Sequence, residues 1–288
     1  MAEISATDVK RLREKTGAGM MECKNALVEK SGSFEEAEKL LKEKGLAALE
    51  KRSGRATNEG KVFIKVTDDS STAVLVELSS ETDFVARNPD FISLGETIAV
   101  RALEKGSTGP DDELNGLVTG LATKIRENMG LKRLTLVKAG ANEYLTRYIH
   151  GDGNIGVVVK CDSDKPEIFK TEEVKAFVFS LALHIAAFNP LALDKSKVDQ
   201  AWLKEQEEIF RKQMEGDEKF SKMRESKPEQ FEKILQGKIT KYLSEICLLD
   251  QGYVKDEKLT VGQALSEYGK KFGAQLNVND YVYYKVGA

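Results

Sequence analysis

The chain has little of what site chemistry usually draws on. Its 288 residues hold two histidines and three cysteines. Cys23, Cys161 and Cys247 stand far apart with no Cys-x-x-Cys pair, which excludes the usual spacing of a structural zinc site and of a disulfide framework. Their odd number and mixed settings fit a reducing cytosol. Neither His150 nor His184 sits in a cluster with metal-ligand spacing, and no serine elbow or Cys-His nucleophile signature occurs. No metal and no cofactor are therefore expected. Charge of one sign is also missing. The 44 basic residues nearly balance 47 acidic ones, leaving a net charge of -3 and no field to attract nucleic acid or an anionic membrane. No apolar run is long enough to span a bilayer. No signal-peptide core precedes residue 30, and the start lacks the Arg/Ser-rich, acid-poor look of a transit peptide. A soluble cytoplasmic protein is expected, with no direct nucleic-acid partner and no membrane.

What is present is periodicity. A chain of 288 residues suggests two or three domains. Ser5-Ala6-Thr7-Asp8 offers a helix cap before Val9 and Leu12, and that helix should stop before Thr16-Gly17-Ala18-Gly19. A second helix is predicted from about Met21 to Lys30. Ser33-Phe34-Glu35-Glu36 reads as a capping box for a third, with Ala37, Leu40 and Leu41 on its apolar face. Lys51 to Gly60 is polar, basic and glycine-containing, and reads as a linker. Beyond it comes a weak repeat. Val62–Val66 and Ala73–Leu78 form one hairpin, followed by a helix from about Asp90 to Leu103. Tyr144–His150 and Gly156–Cys161 form a second hairpin, followed by a helix from about Glu172 to Ala187. Two such units predict an α+β core. Val198–Leu249 is helical and highly charged, and a polar break from Glu215 to Pro228 would fold it into a hairpin arm. Thr260–Leu265 opens a short helix, and Asp280–Val286 closes as a strand.

Gly151-Asp152-Gly153-Asn154-Ile155-Gly156 fits Gly-x-Gly-x-x-Gly literally. A dinucleotide fold needs a helix after that turn, whereas Val157-Val158-Val159 reads as a strand, so a hairpin turn is expected. Thr16-Gly17-Ala18-Gly19 lacks the Gly-Lys-Ser/Thr ending of a phosphate loop. Its glycines turn the chain and leave Met20 and Met21 at a corner, where methionine either fills core gaps or serves a binding surface. His184 lies in the apolar run Leu181–Phe188, where a core histidine and a contact residue are both open readings. The most informative segment is Glu81–Phe91. It follows a buried-strand pattern, and Asn88-Pro89 hands the chain to a helix. Phe84 therefore falls at a strand-to-helix corner between Asp83 and Arg87. There the ring either caps its own core or lies exposed, poised to enter a pocket on another molecule.

Glu77–Arg87 closely resembles a signature of the elongation factor Ts family, guanine-nucleotide exchange factors for elongation factor Tu. Leu12–Leu27 resembles a second signature of that family. Two long motifs in the family's order and near its separation make the match specific. Ser79 departs from the family's usual Asn, which bears on a local turn hydrogen bond. The resemblance implies a ubiquitin-associated-like three-helix domain at 1–54 and a linker at 55–60. It also implies core subdomains at 61–140 and 141–288, the latter carrying a coiled-coil arm at about 197–249. It implies a binding protein and not an enzyme, with elongation factor Tu, GDP-bound and nucleotide-free, as partner. Thr82, Asp83, Phe84 and Val85 would enter the partner and dislodge Mg²⁺. Met20, Met21, Ile125, His150, Gly151 and His184 would dock. The alternative, a nucleic-acid-binding or general interaction scaffold, needs a basic stripe with aromatics, but Lys and Arg here alternate with Glu.

Overall fold

The computed structural model describes residues 4–288. Helix α1 (Ala6–Thr16) starts where the Ser5 hydroxyl accepts the Asp8 N–H at 3.0 Å. It ends at Gly17, whose φ of 69° is left-handed. A Cβ at Gly17 would also fall 2.7 Å from the Lys124 carbonyl oxygen, so glycine serves both the turn and a close approach. Helix α2 (Met20–Glu29) opens with the Gly19 N–H donating to the Glu22 carboxylate. For α3 (Phe34–Glu50), Ser33 accepts the Glu36 N–H, but the reciprocal half of the expected capping box does not form. The Ser33 N–H already donates to the Lys30 carbonyl at 2.9 Å. Leu12, Cys23, Ala26, Leu27, Ala37 and Leu41 close a small core among these helices.

Strand β1 (Glu59–Val66) begins inside the expected linker. Gly60 is the reason: with φ at 149° and a Cβ that would sit 2.2 Å from the Leu78 carbonyl oxygen, only glycine lets the strands close here. β1 pairs antiparallel with β2 (Thr72–Ser80), placing Phe63 opposite Val76. Both faces of β2 are buried, which is why its sequence runs apolar instead of alternating. A four-residue helix α4 (Asp83–Ala86) follows, then α5 (Pro89–Lys105), α6 (Asp112–Ile125) and β3 (Met129–Lys138), which pairs with the other side of β2. Neither α6 nor β3 is announced by the sequence pattern. Gly116, Thr119, Gly120 and Thr123 weaken the helical signal, and charged residues dilute β3. Phe63, Val74, Val76 and Leu78 pack against Phe91, Ile98, Leu114 and Val118.

The second sheet has the order β4-β5-β8, from β4 (Glu143–His150), β5 (Ile155–Ser163) and β8 (Leu276–Lys285). Between β5 and β8 lie α7 (Glu172–Phe188), α8 (Gln200–Glu215), α9 (Glu218–Ser226), α10 (Pro228–Ile246), the short strands β6 (Gly252–Tyr253) and β7 (Asp256–Thr260), and α11 (Val261–Lys271). The expected polar break at 215–228 is itself largely helix α9. Asp217 caps it by accepting the Lys219 N–H, Pro228 opens the next helix, and Phe220 and Met223 join the apolar cluster of Met214, Phe231, Leu235 and Ile239. The repeat runs deeper than hairpin plus helix. Each copy reads hairpin, helix, helix, strand, and the last strand pairs with the second strand of its hairpin. In the second copy, α8–α10 and β6-β7 are inserted between the two helices.

The chain divides into two compact units. One comprises residues up to Lys138 with Ile149–Gly156 and Tyr284–Ala288, and the other Ala139–Tyr148 with Val157–Tyr283. Among the described residues, no helix is long and apolar enough to cross a membrane.

Candidate functional site

The corner after β2 is built by three short-range devices. The Ser80 hydroxyl donates to the Thr82 carbonyl at 2.9 Å, and the Thr82 hydroxyl accepts the Val85 N–H. Asn88 then accepts the Asp90 N–H at 2.8 Å, so α4 stops and α5 starts within one turn of chain. On α4, Val85 and Ala86 face the core cluster. Phe84 faces away and is 83% exposed, the most exposed large apolar side chain among the described residues. A phenyl ring left in water contributes little to folding. Asp83 beside it forms an ion pair with Arg87 at 3.4 Å.

The corner is braced by residues distant in sequence. The Thr82 hydroxyl donates to both Glu127 carboxylate oxygens at 3.0 and 3.1 Å. Glu81 accepts the Asn128 N–H at 2.6 Å and pairs with Arg55 at 3.1 Å, and these donors hold its carboxyl below the usual range. The Asn128 amide donates to the Ser53 and Arg55 carbonyls. Ser79 is not in a turn at all. It lies buried in β2 with its hydroxyl hydrogen-bonded to the Thr57 hydroxyl and to the Gly130 carbonyl, so its hydrogen bonding is cross-strand and not that of a local turn.

Met20 and Met21 are 43% and 65% exposed at the start of α2. Glu22 on the same helix contacts Arg126, whose guanidinium, with the Gly19 N–H, keeps the Glu22 carboxyl low. Lys124 pairs with Asp90 at 2.8 Å. Polar contacts thus tie the methionine corner to the end of α6 and to the start of α5, next to Phe84. Gly151 (φ 58°) and Gly153 (φ 95°) form the turn between β4 and β5, and a strand follows, as a hairpin requires. His150 and Gly151 are exposed there. Three of the expected contact residues face inward instead, Val85, Ile125 and His184. Val85 belongs to the core, and Ile125 is partly buried against it because its helix ends there in a left-handed Arg126.

A family model described as "Elongation factor TS" matches residues 81–288. The chain is 51% identical over 285 residues to the elongation factor Ts of Treponema denticola, covering 99% of both chains. The chain belongs to the elongation factor Ts family. It is 44% identical to the elongation factor Ts of Treponema pallidum, over 99% of both chains. With that of Clostridium acetobutylicum the identity is 40%, over 99% of this chain and 92% of the relative.

His184 is fully buried and does not reach the surface. Its Nδ1 accepts the Val254 N–H at 3.2 Å, its Nε2 lies 2.9 Å from the Gln251 amide oxygen, and its ring stacks on Phe188. An acceptor at Nδ1 requires a neutral ring, and burial lowers its pKa, partly offset by the Gln251 hydrogen bond. The unfolded chain therefore binds a proton that the folded one rejects. Stability is complete above about pH 6.5, the ordinary histidine value, and declines as pH falls towards the depressed one. His184→Gln should flatten the fall of the melting temperature between pH 7 and 5. A slope equal to wild type would show that His184 does not carry it.

Sequence reasoning missed Lys61, Arg55 and the bracing role of Glu127. Their partners lie 91, 26 and 45 residues away, beyond any periodic signal.

Proposed function

We propose that this chain is a guanine-nucleotide exchange factor for elongation factor Tu, acting as a binding protein in the cytoplasm and not as an enzyme. The exposed Phe84 on a braced corner is the observation that carries this reading. The ring enters an apolar pocket of the GDP-bound partner with Asp83 beside it, disturbs Mg²⁺ and phosphate binding, and GDP leaves. The nucleotide-free complex then takes up GTP. The methionine corner and the second hairpin turn supply docking area. In this reading residues 1–54 act as a ubiquitin-associated-like domain, 55–60 as a linker, and 61–140 and 141–288 as the two core subdomains. The helices at about 197–249 form a projecting coiled-coil arm.

The physical requirement is a coupling free energy. A factor that weakens nucleotide binding is weakened by nucleotide to the same degree, about 1.4 kcal/mol for each tenfold. Burial of one aromatic ring contributes about 1.5–3 kcal/mol. That amounts to roughly one or two decades, so the docking surface must supply the rest. Release of labelled GDP from elongation factor Tu, with and without this protein, tests the reading. No acceleration at any concentration of the protein overturns it.

Asp83 separates charge from shape. Asp83→Asn keeps an acceptor oxygen and removes the charge. Its ion pair with Arg87 is solvent-exposed, so stability should change by less than about 0.5 kcal/mol. Exchange should slow less than in Phe84→Ala, and excess Mg²⁺ should oppose exchange by the wild type. Stopped-flow release over a Mg²⁺ series decides it. Rates equal to wild type at every Mg²⁺ concentration would leave Asp83 a turn residue only.

A further inference from the structure

Strand β1 carries a lysine where a sheet rarely tolerates one. Lys61 is only 7% exposed, and the cation needs compensation that water cannot give. The turn between β4 and β5 provides it. The Lys61 ammonium lies 2.8 Å from the Asp152 carboxylate and also donates to the Asp152 carbonyl. The neighbouring Val62 N–H donates to the Gly153 carbonyl at 2.8 Å. Gly153 is left-handed, and a Cβ there would lie 3.3 Å from the Lys61 side-chain stem; at Gly156 it would lie 2.4 Å from Val62. The turn is clasped along the edge of β1 by one ion pair, one backbone bond and two glycines. On its outer side the Val286 N–H donates to the Asn154 carbonyl.

Through β1 the turn is also linked to the Phe84 corner, because Phe63 of that strand packs in one cluster with Val85 and Ala86 of α4. Lys61 lowers the Asp152 pKa most, and the Arg87 charge adds a smaller lowering. Arg87 in turn pairs with Asp83.

We infer that Lys61 and Asp152 are positioning residues for nucleotide exchange: they latch the His150–Asn154 turn to β1 and, through β1 and its packing against α4, hold that turn in register with the Asp83-Phe84 corner. The two contact elements then meet elongation factor Tu as one preorganised surface. This rests on the exchange reading above. Preorganisation matters because order lost in the free factor must be restored on binding, and a misplaced contact group acts on the rate more than on the fold.

The test uses the full-length protein. Asp152→Asn removes the charge, Asp152→Glu keeps it, and Lys61→Met keeps the stem without the ammonium. GDP release from labelled elongation factor Tu·GDP is followed at saturating factor, together with amide hydrogen exchange of the free protein at Val62 and along the turn. Asp152→Asn should lower the maximal release rate about tenfold per folded molecule. It should also speed amide exchange at Val62, and Asp152→Glu should restore most of both. Lys61→Met combined with Asp152→Asn should be no slower than the worse single variant, as expected of partners in one interaction. A wild-type maximal rate in Asp152→Asn overturns the inference. So does unchanged protection at Val62, whatever the rate. If the wild-type protein does not accelerate release, the exchange reading and the register role fall together. Protection at Val62 then still decides whether the latch holds the turn.

Discussion

Phe84→Ala is expected to fold like the wild type and to lose most exchange activity. The ring is 83% exposed, and the residues that shape its corner are the Ser80, Thr82 and Asn88 caps and the Glu127 and Asn128 braces. None of these depends on the ring. Exposed substitutions of this kind change stability by less than about 0.5 kcal/mol, or about 2 °C in melting temperature. A buried aromatic anchor at the centre of an interface is worth about 2 kcal/mol or more, which is about thirtyfold in the rate of GDP release. Phe84→Leu should recover part of that loss, since it restores apolar bulk without the ring. The decisive pair of measurements is thermal melting and stopped-flow release. A large fall in melting temperature would make Phe84 a fold residue, and full activity would remove it from the site.

Much of this corner was legible because its causes are local. Asn88-Pro89 forces a break, Thr82 and Asn88 are cap residues, and the β2 run is apolar enough to be buried. The side of α4 that each residue occupies was less legible. Four residues give no periodicity, so Val85 and Phe84 look alike in sequence, yet one is core and the other solvent. Only the packed cluster of Phe91, Leu94 and Leu131 decides between them. His184 failed for a related reason. Its apolar helix permitted either reading, and the donors and acceptors that satisfy it in the core, Val254 and Gln251, come from a segment 70 and 67 residues away.

The halves of the repeat show the same division. The hairpins and the helices α5 and α7 could be read because their patterns are strong. Strand β8 could be read in part, from Asp280 onward, whereas β3, in which Lys132, Arg133 and Lys138 interrupt the apolar residues, completes its sheet by pairing with a strand far back in the chain. Its charge is answered only in three dimensions. Arg133 pairs with the buried Glu77 at 2.5 Å, donates to the Lys285 carbonyl and lies over the Tyr284 ring. Such a residue reads as surface until its partner is known.

Gly95 carries the other large expected effect, and it is a stability effect with a sign that helix propensity alone gets wrong. Gly95 lies within α5, where Ala is ordinarily better by about 1 kcal/mol. Gly116 lies within α6 under the same rule, and a Cβ there meets nothing within 4 Å. Gly116→Ala should therefore gain up to about 1 kcal/mol. At Gly95 the new Cβ would lie 2.1 Å from the Phe63 ring. That ring is buried and packed against Phe91, with centroids 6.4 Å apart, so it has no solvent side to swing into. Overpacking of a core costs about 1–3 kcal/mol against a propensity gain of about 1 kcal/mol, leaving Gly95→Ala less stable by up to about 2 kcal/mol. The same cluster backs Val85 and Ala86, so the shift should also slow GDP release while leaving Phe84 in place. Urea midpoints of the two variants provide the check. A gain at both glycines would mean that the Phe63 ring yields freely, and that the corner does not rest on a tightly packed base.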